Sequence, residues 1–316
     1  MASLRATSGV VLLMTLILVA PTLVGGCSGR SAEDESLDTV RLTGSDTMVN
    51  LAQSWAEAFN RDHPEISITV KGGGSGVGIA NLVGGKIEIA AASRPMEPKE
   101  IETAKTKTGK TPQEFVVGRD ALAIYVHRDN PLAKISLEEL AEIYGTDGKI
   151  TNWKELGVDN AQCDGGEIIR ISRQNSSGTY AYFKEAVLGK GRDYKPGFTA
   201  QSGSSDVVAL VSNTPCAIGY SGMGYRTEQV KVLPVSKTKA DTPIEPTVAA
   251  AQDGTYPIAR PLYLYTAGEP TGPVQTFIEW IRGPEGQKIV EQEGYVPVTQ
   301  TAPATEKTPA EAAPAQ

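Results

Sequence analysis

Four short stretches of the chain place glycine, hydroxyl and charged residues where an apolar strand gives way to a helix or turn. They are "GSDTM" (44–48), "GGGSGVG" (72–78), "ASRPM" (92–96) and "RQNSSGT" (173–179). The first turn of a helix carries unpaired N–H groups and partial positive charge, so it accepts an anion readily. Glycine lets those amides approach a ligand closely, and Ser or Thr adds O–H donors. An arginine fork matches two oxygens of a tetrahedral oxyanion. One such junction is a weak signal, since Ser45, Asp46 or Ser177 alone could serve only as a helix cap. Four in one chain point to an oxyanion site drawn from Ser45, Asp46, Thr47, Ser75, Arg94, Arg173, Ser177, Gly178 and Thr179.

Competing chemistries lack parts. "GGGSGVG" has no Gly-Lys-Ser/Thr ending, so it is not a nucleotide-hydrolase phosphate loop. It also misses the third glycine of a dinucleotide fingerprint, and Val77 stands where a nucleophile elbow needs glycine. Arg94 could simply pair with a neighbour such as Glu97, and Arg173 could be an exposed strand-end cation. His63 and His127 are the only histidines, and neither has a cysteine or carboxylate at metal-ligand spacing. No Ser/His/Asp set is evident. The expectation is a binding protein and not an enzyme, with no metal and no cofactor.

The elements that must position these loops are short apolar strands alternating with amphipathic helices, the pattern of an α/β fold with largely parallel sheets. After the strand "VRLTG", Met48, Leu51, Ala52, Trp55 and Phe59 form a helical stripe that ends before His63-Pro64. "EFVVG" and "ALAIYVH" read as two strands, and Ser136 with Glu139 as a capping box. Boundaries are expected near Gly118 and near Pro234 to Ala240. They leave residues 39–118 and 236–298 as one discontinuous lobe and 119–235 as the other.

The chain has 316 residues, of which the two ends are expected to stand outside the fold. Residues 1–26 read as a secretion signal: Arg5, then "VVLLMTLILVAP", too short for a comfortable membrane span. "LVGGC" looks like a lipoprotein processing site with Cys27 as the lipidated residue, followed by a polar tether over 27–38. Residues 299–316, rich in Ala, Pro, Thr and Glu, cannot bury enough surface to order themselves. Without the signal segment, 29 basic residues face 37 acidic ones, a net charge of −8. That balance disfavours nucleic acid and requires an anion to be held by a local site. Cys163 and Cys216 then remain, and two cysteines in an exported chain suggest one disulfide.

Taken together, these motifs resemble the periplasmic phosphate-binding proteins of the phosphate-specific ABC transporter, in the type II periplasmic-binding-protein superfamily. The resemblance runs from Val40 to Val298 and includes "GSDTM", "GGGSGVGI", "IEIAAASRPM", "IYGTDGKITNW", "R…SSGT", "AIGYSG" and "GPEGQKIVEQEGYVPV". It implies a two-lobed α/β fold with two crossing strands as hinge and phosphate in the cleft between the lobes. Asp46 and Thr47 fall on the family's first-loop positions, Ser75 on its glycine-loop serine and Arg173 on its clamping arginine. Ser177, Gly178 and Thr179 fall on the donors of the second lobe. Many members have aspartate where this chain has Arg94, and that aspartate accepts the ligand proton that distinguishes hydrogen phosphate from sulfate. Asp46 is the nearest carboxylate in the recognised loops to take that role, although it could equally cap the Met48 helix. The implied protein is a monomer, anchored outside the cytoplasm, in the periplasm or on the outer face of the cytoplasmic membrane, by a lipid such as palmitate on Cys27. It captures inorganic phosphate and passes it to the permease subunits of an ABC importer. A binder of sulfate or molybdate, or a secreted phosphate-ester hydrolase, are the alternatives.

Overall fold

A computed structural model describes residues 38–298; the signal segment, Cys27, the tether and the C-terminal tail lie outside them. β1 (Asp38–Gly44) buries Val40 and Leu42, and a 3-10 turn over Asp46–Met48 leads into α1 (Val49–Asp62). The expected stripe is the face that α1 buries: Met48, Leu51, Ala52, Trp55 and Phe59 are all inaccessible. α1 stops at His63, because the ring of Pro64 disfavours a helical residue before it. β2 (Ile66–Lys71), α2 (Ser75–Val83), β3 (Ile89–Ala92) and α3 (Pro98–Thr108) follow, with β1 between β2 and β3 and parallel to both.

The two strands read from "EFVVG" and "ALAIYVH" are one, β4 (Gln113–His127), 15 residues long. Beyond it come β5 (Ile135–Ser136), α4 (Leu137–Tyr144), β6 (Ile169–Arg173) and α5 (Gly178–Phe183). The capping box on α4 is made: Ser136 Oγ accepts from the Glu139 amide at 3.2 Å, and the Glu139 carboxylate accepts from the Ser136 amide at 3.0 Å. β7 (Thr199–Gln201), α6 (Ser204–Ser212), β8 (Ala217–Gly222), β9 (Val230–Leu233), β10 (Val235–Ser236) and α7 (Val248–Gln252) complete this half. The chain ends with β11 (Ala259–Thr266), α8 (Gly272–Arg282) and α9 (Pro284–Gln292).

One sheet runs through both halves in the order β2-β1-β3-β11-β4-β8-β6-β7, with β9 also on β4. Residues 113–121 of β4 pair antiparallel with β11, and from Leu122 onward the same strand pairs with β8 and β9. This continuous ladder explains why Gly118, Arg119 and Asp120 interrupt the apolar pattern without ending the strand. Both sheet faces are covered, so alternate residues enter different cores. Leu262 and Leu264 of β11 pack with Trp55 and Phe277, whereas Tyr263 and Tyr265 pack with Ile79 and Leu82. In the second half Leu122 and Ile124 pack with Tyr144 and Phe183, and Ala123 and Tyr125 with Val207 and Val211.

The expected return to the first lobe at residue 236 differs from the observed packing. Val235, Ala250, Ala251, Tyr256 and Ile258 all belong to the core of the second half, and Tyr256 donates its hydroxyl to Leu122 O at 2.8 Å. The crossing lies instead at the start of β11, where Ala259 pairs with Ala121. Beyond Ser236 at the end of β10, residues 237–258 hold the five-residue α7 and a single bridge from Ile244 to Val235, which leaves little periodicity to show which core they join. β4 and β11 are thus the two strands that cross between the halves. Cys163 and Cys216, 53 residues apart, are joined by a disulfide.

Candidate functional site

In a parallel α/β sheet the carboxyl ends of the strands and the loops after them form the natural crevice for a ligand. Here the ends of β1, β2 and β3 in the first half meet the end of β6 from the second. The approach is close enough to require glycine. A Cβ on Gly178 would sit 2.4 Å from Ser75 Oγ and 2.7 Å from Ser93 Oγ. Gly74 adopts φ +96°, which side chains rarely tolerate, and brings its loop against Ser176; next to it the Gly76 amide donates to Ser176 O at 3.0 Å.

Arg173 ends β6 and is wholly buried. Its Nη1 donates to Ser204 Oγ at 2.9 Å and its Nη2 to Ser202 O at 2.7 Å, both within its own half. The same Nη2 donates across the cleft to Asp46 Oδ2 at 2.9 Å. Its Nε–H has no partner among the described residues. Leaving a charged donor buried and unsatisfied is costly, so a cleft oxyanion fits this position. Burial lowers the Arg173 pKa, Asp46 draws it back up and Arg260 presses it down again.

The donors expected from the first half converge on the same place. Asp46 does not cap α1; its Oδ1 accepts from the Gly73 amide at 2.8 Å and so fixes the glycine-rich loop. Ser45 Oγ donates to Ser93 Oγ at 3.0 Å, and Ser75 Oγ accepts from the Ser93 amide at 3.1 Å. Thr47 and Thr179, from opposite halves, share a hydrogen bond between hydroxyls at 2.8 Å. Ser177 Oγ accepts from the amides of Thr179 at 3.1 Å and Tyr180 at 3.4 Å, so it caps α5 at the edge of the cluster.

Beneath these loops lies a buried ion pair. Arg260 of β11 and Asp120 of β4 are cross-strand partners at the crossing. Arg260 donates to Asp120 Oδ2 from Nε at 3.1 Å and from Nη2 at 2.8 Å, and from Nη1 to Ser93 O at 3.2 Å. Its Nη2 also reaches Thr179 Oγ1 at 3.0 Å and Thr47 Oγ1 at 3.4 Å. The guanidinium lies 5.4 Å from the Tyr182 ring centroid, a cation–π contact. Burial raises the Asp120 pKa against the opposing pull of Arg260. Two guanidiniums and two carboxylates therefore surround a set of hydroxyl and amide donors. Two open cavities, one of about 260 Å³ between α2 and α3 and one of about 560 Å³ beside α6, lie outside this cluster.

A model of the PBP superfamily domain matches residues 29–285. The phosphate-binding protein PstS of Pseudomonas aeruginosa is 32% identical over 306 residues, 90% of this chain and 94% of that protein. PstS of Bacillus subtilis is 34% identical over 269 residues, 84% of this chain and 83% of that protein. The chain belongs to the PstS family. Its two-lobed α/β fold agrees with solved structures. One, described as a phosphate ABC transporter substrate-binding protein with bound phosphate from Clostridium perfringens, has a TM-score of 0.73 at 29% identity, covering 83% of this chain and 100% of that one. An ABC-type phosphate transport receptor from Vibrio cholerae has a TM-score of 0.62 at 28% identity, covering 81% and 99%.

One expected residue of this PstS-family chain stands apart from the cluster. Arg94 was expected to bind the anion, but its fork is occupied by Glu100, Nη1 to Oε2 and Nη2 to Oε1, each at 2.8 Å. Glu100 is the third residue of α3, and its carboxylate also accepts from the Glu97 amide at 2.8 Å, completing a capping box. A carboxylate held at that helix start draws Arg94 toward α3. Ser93 beside it takes the central position instead, in contact with Ser45, Ser75 and the Arg260 guanidinium. The sequence reading missed Ser93, Ser204, Asp120 and Arg260. The last two carried a signal: Arg260 is the one charge of β11, and Asp120 follows Arg119 between two apolar stretches of β4. Among the described residues no three His, Cys, Asp or Glu side chains gather as metal ligands.

Proposed function

We propose that this protein captures inorganic phosphate in the cleft between its lobes and delivers it to the permease of an ABC importer. The observation that carries the reading is Arg173: a wholly buried guanidinium, held by Asp46 of the other lobe, whose Nε–H, set among hydroxyl and amide donors, has no partner among the described residues. Ligand oxygens that bond donors from both lobes favour the closed arrangement, because the two donor sets converge only there. PstS relatives named for phosphate binding supply the ligand class. We take Ser75, Thr47, Thr179 and Gly178 as the remaining contacts, with Ser45 and Ser177 orienting them. Arg94, paired with Glu100, is left out.

The "LVGGC" sequence supports export and lipidation at Cys27, which would hold the protein at the outer face of a membrane beside its permease. Calorimetric titration of the purified protein with phosphate and then sulfate tests the reading. Stoichiometric, tight phosphate binding with weak sulfate binding is expected. Turnover of a chromogenic phosphate ester, or tighter binding of sulfate than of phosphate, would overturn it.

A further inference from the structure

The loop after β3 brings two polar residues to the cleft, and only one of them stays there. Arg94 is drawn off to Glu100, whereas Ser93 is wholly buried. The Ser93 backbone is held on both sides: its amide donates to Ser75 Oγ at 3.1 Å, and its carbonyl accepts from Arg260 Nη1 at 3.2 Å. Its Oγ accepts from Ser45 Oγ at 3.0 Å and lies 3.5 Å from Ser75 Oγ, where either hydroxyl can donate. The three serines therefore bring three hydroxyl protons to two contacts. At least one of those protons has no acceptor among the described residues. The second contact is long, so the Ser75 and Ser93 protons can both leave it for a ligand oxygen at little cost. Both oxygens face the second lobe, since a Cβ on Gly178 would lie 2.4 Å from Ser75 Oγ and 2.7 Å from Ser93 Oγ.

We propose that Ser93 is a further ligand contact and that Ser45 is a positioning residue acting through it. This rests on the phosphate reading above and extends it. The Ser45 proton occupies one lone pair of the Ser93 oxygen and restricts its rotation, and the Ser93 proton is then kept for another acceptor. An anionic oxygen is a strong acceptor to bring there, because a hydrogen bond to a charged group is roughly twice as strong as one between neutral partners. Ser93 thus supplies from the end of β3 the first-lobe donor expected of Arg94, opposite the head of α5 and without adding a charge. The backbone bonds to Ser75 and Arg260 do not depend on its hydroxyl, so the contact can be removed while its surroundings stay in place.

The test is a double-mutant cycle in the full-length protein, with phosphate affinity read by calorimetry and unfolding midpoints taken with and without phosphate. Ser93→Ala is expected to weaken phosphate binding at least about tenfold, the loss of one hydrogen bond to a charged ligand. The rise in midpoint that phosphate produces should shrink accordingly, whereas a purely structural role would lower both midpoints together. Ser45→Ala is expected to weaken binding about threefold alone and less than about twofold in the Ser93→Ala background, because it acts through Ser93. Ser93→Cys keeps the shape of the side chain with a weak donor and gives the same reading should Ser93→Ala fail to fold. Phosphate affinity within about twofold of the wild type in a folded Ser93 variant would overturn the contact. Ser45→Ala and Ser93→Ala losses that add in full would overturn the relay between them. A wild type that binds no phosphate would overturn the parent reading and this one together, whereas tight wild-type binding untouched by the Ser93 variants would overturn this inference alone.

Discussion

Arg173 Nη2 and Asp46 Oδ2 meet at 2.9 Å across the cleft, joining the end of β6 to the loop after β1. Each side chain is also bound within its own lobe, Arg173 to Ser204 and Ser202, and Asp46 to the Gly73 amide. The ion pair is therefore a link between two pre-set halves, and it fixes the guanidinium beside the hydroxyl cluster. Arg173→Ala is expected to abolish tight phosphate binding. Truncating one partner of a buried charged pair costs about 2–5 kcal/mol; Arg173→Lys keeps the charge but loses the fork, so it is expected to recover only part of that affinity. Calorimetry on both variants checks this; micromolar affinity surviving in Arg173→Ala would remove Arg173 from the site.

Asp46→Asn tests the carboxylate separately. Asn can still accept from the Gly73 amide, so the loop should hold. The lost anion removes the acceptor for a ligand proton and raises the local positive potential, which favours a fully ionised ligand. Sulfate affinity is expected to rise relative to phosphate in competition titrations. An unchanged ratio would mean that Asp46 does not discriminate between them.

Arg94 and Glu100 should matter to stability and little to binding. Burial pushes the Glu100 carboxyl up, but hydrogen bonds from Arg94 and the Glu97 amide outweigh it and hold the carboxyl below its ordinary range. A depressed carboxyl stabilises the fold above its unfolded pKa, and that contribution is lost as pH falls through the folded value. Arg94→Ala should thus unfold at a higher pH on the acid side, at a cost of about 1 kcal/mol because the pair is partly exposed. Phosphate affinity should change less than about twofold, since the Arg94 fork is taken up by Glu100 and makes no hydrogen bond to the hydroxyl cluster. A large loss of affinity would return Arg94 to the cleft.

Much of this arrangement was legible from residue types. The stripe from Met48 to Phe59 and the Ser136–Glu139 box follow from local rules, since each depends on neighbours in sequence; that Ser75 and Arg173 belong to one site was legible only from the shared composition of their loops and the family resemblance. What was hidden depends on tertiary partners. A neighbouring carboxylate was one of the readings open for Arg94, with Glu100 taking the place given to Glu97, whereas Asp120 and Arg260 become a pair only through the β4–β11 register. The same holds for residues 236–258, whose core is decided by contacts such as Tyr256 with Leu122.

The disulfide separates stability from function. β8 runs parallel to β6, so Cys216, just before β8, lies at the opposite end of the sheet from Arg173 at the end of β6. Its bond to Cys163 pins the loop carrying Trp153, whose indole Nε1 donates to Cys216 O at 3.3 Å. Closing a loop of this length restricts the unfolded chain by about 4 kcal/mol in the chain-entropy model. Cys163→Ala with Cys216→Ala should therefore lower denaturant stability by several kcal/mol while phosphate affinity, measured well below the new unfolding midpoint, stays within about twofold. The wild type under reducing conditions should behave likewise. Loss of affinity in a variant that remains folded would mean that the far end of the second lobe is coupled to the cleft, against the separation the sheet topology imposes.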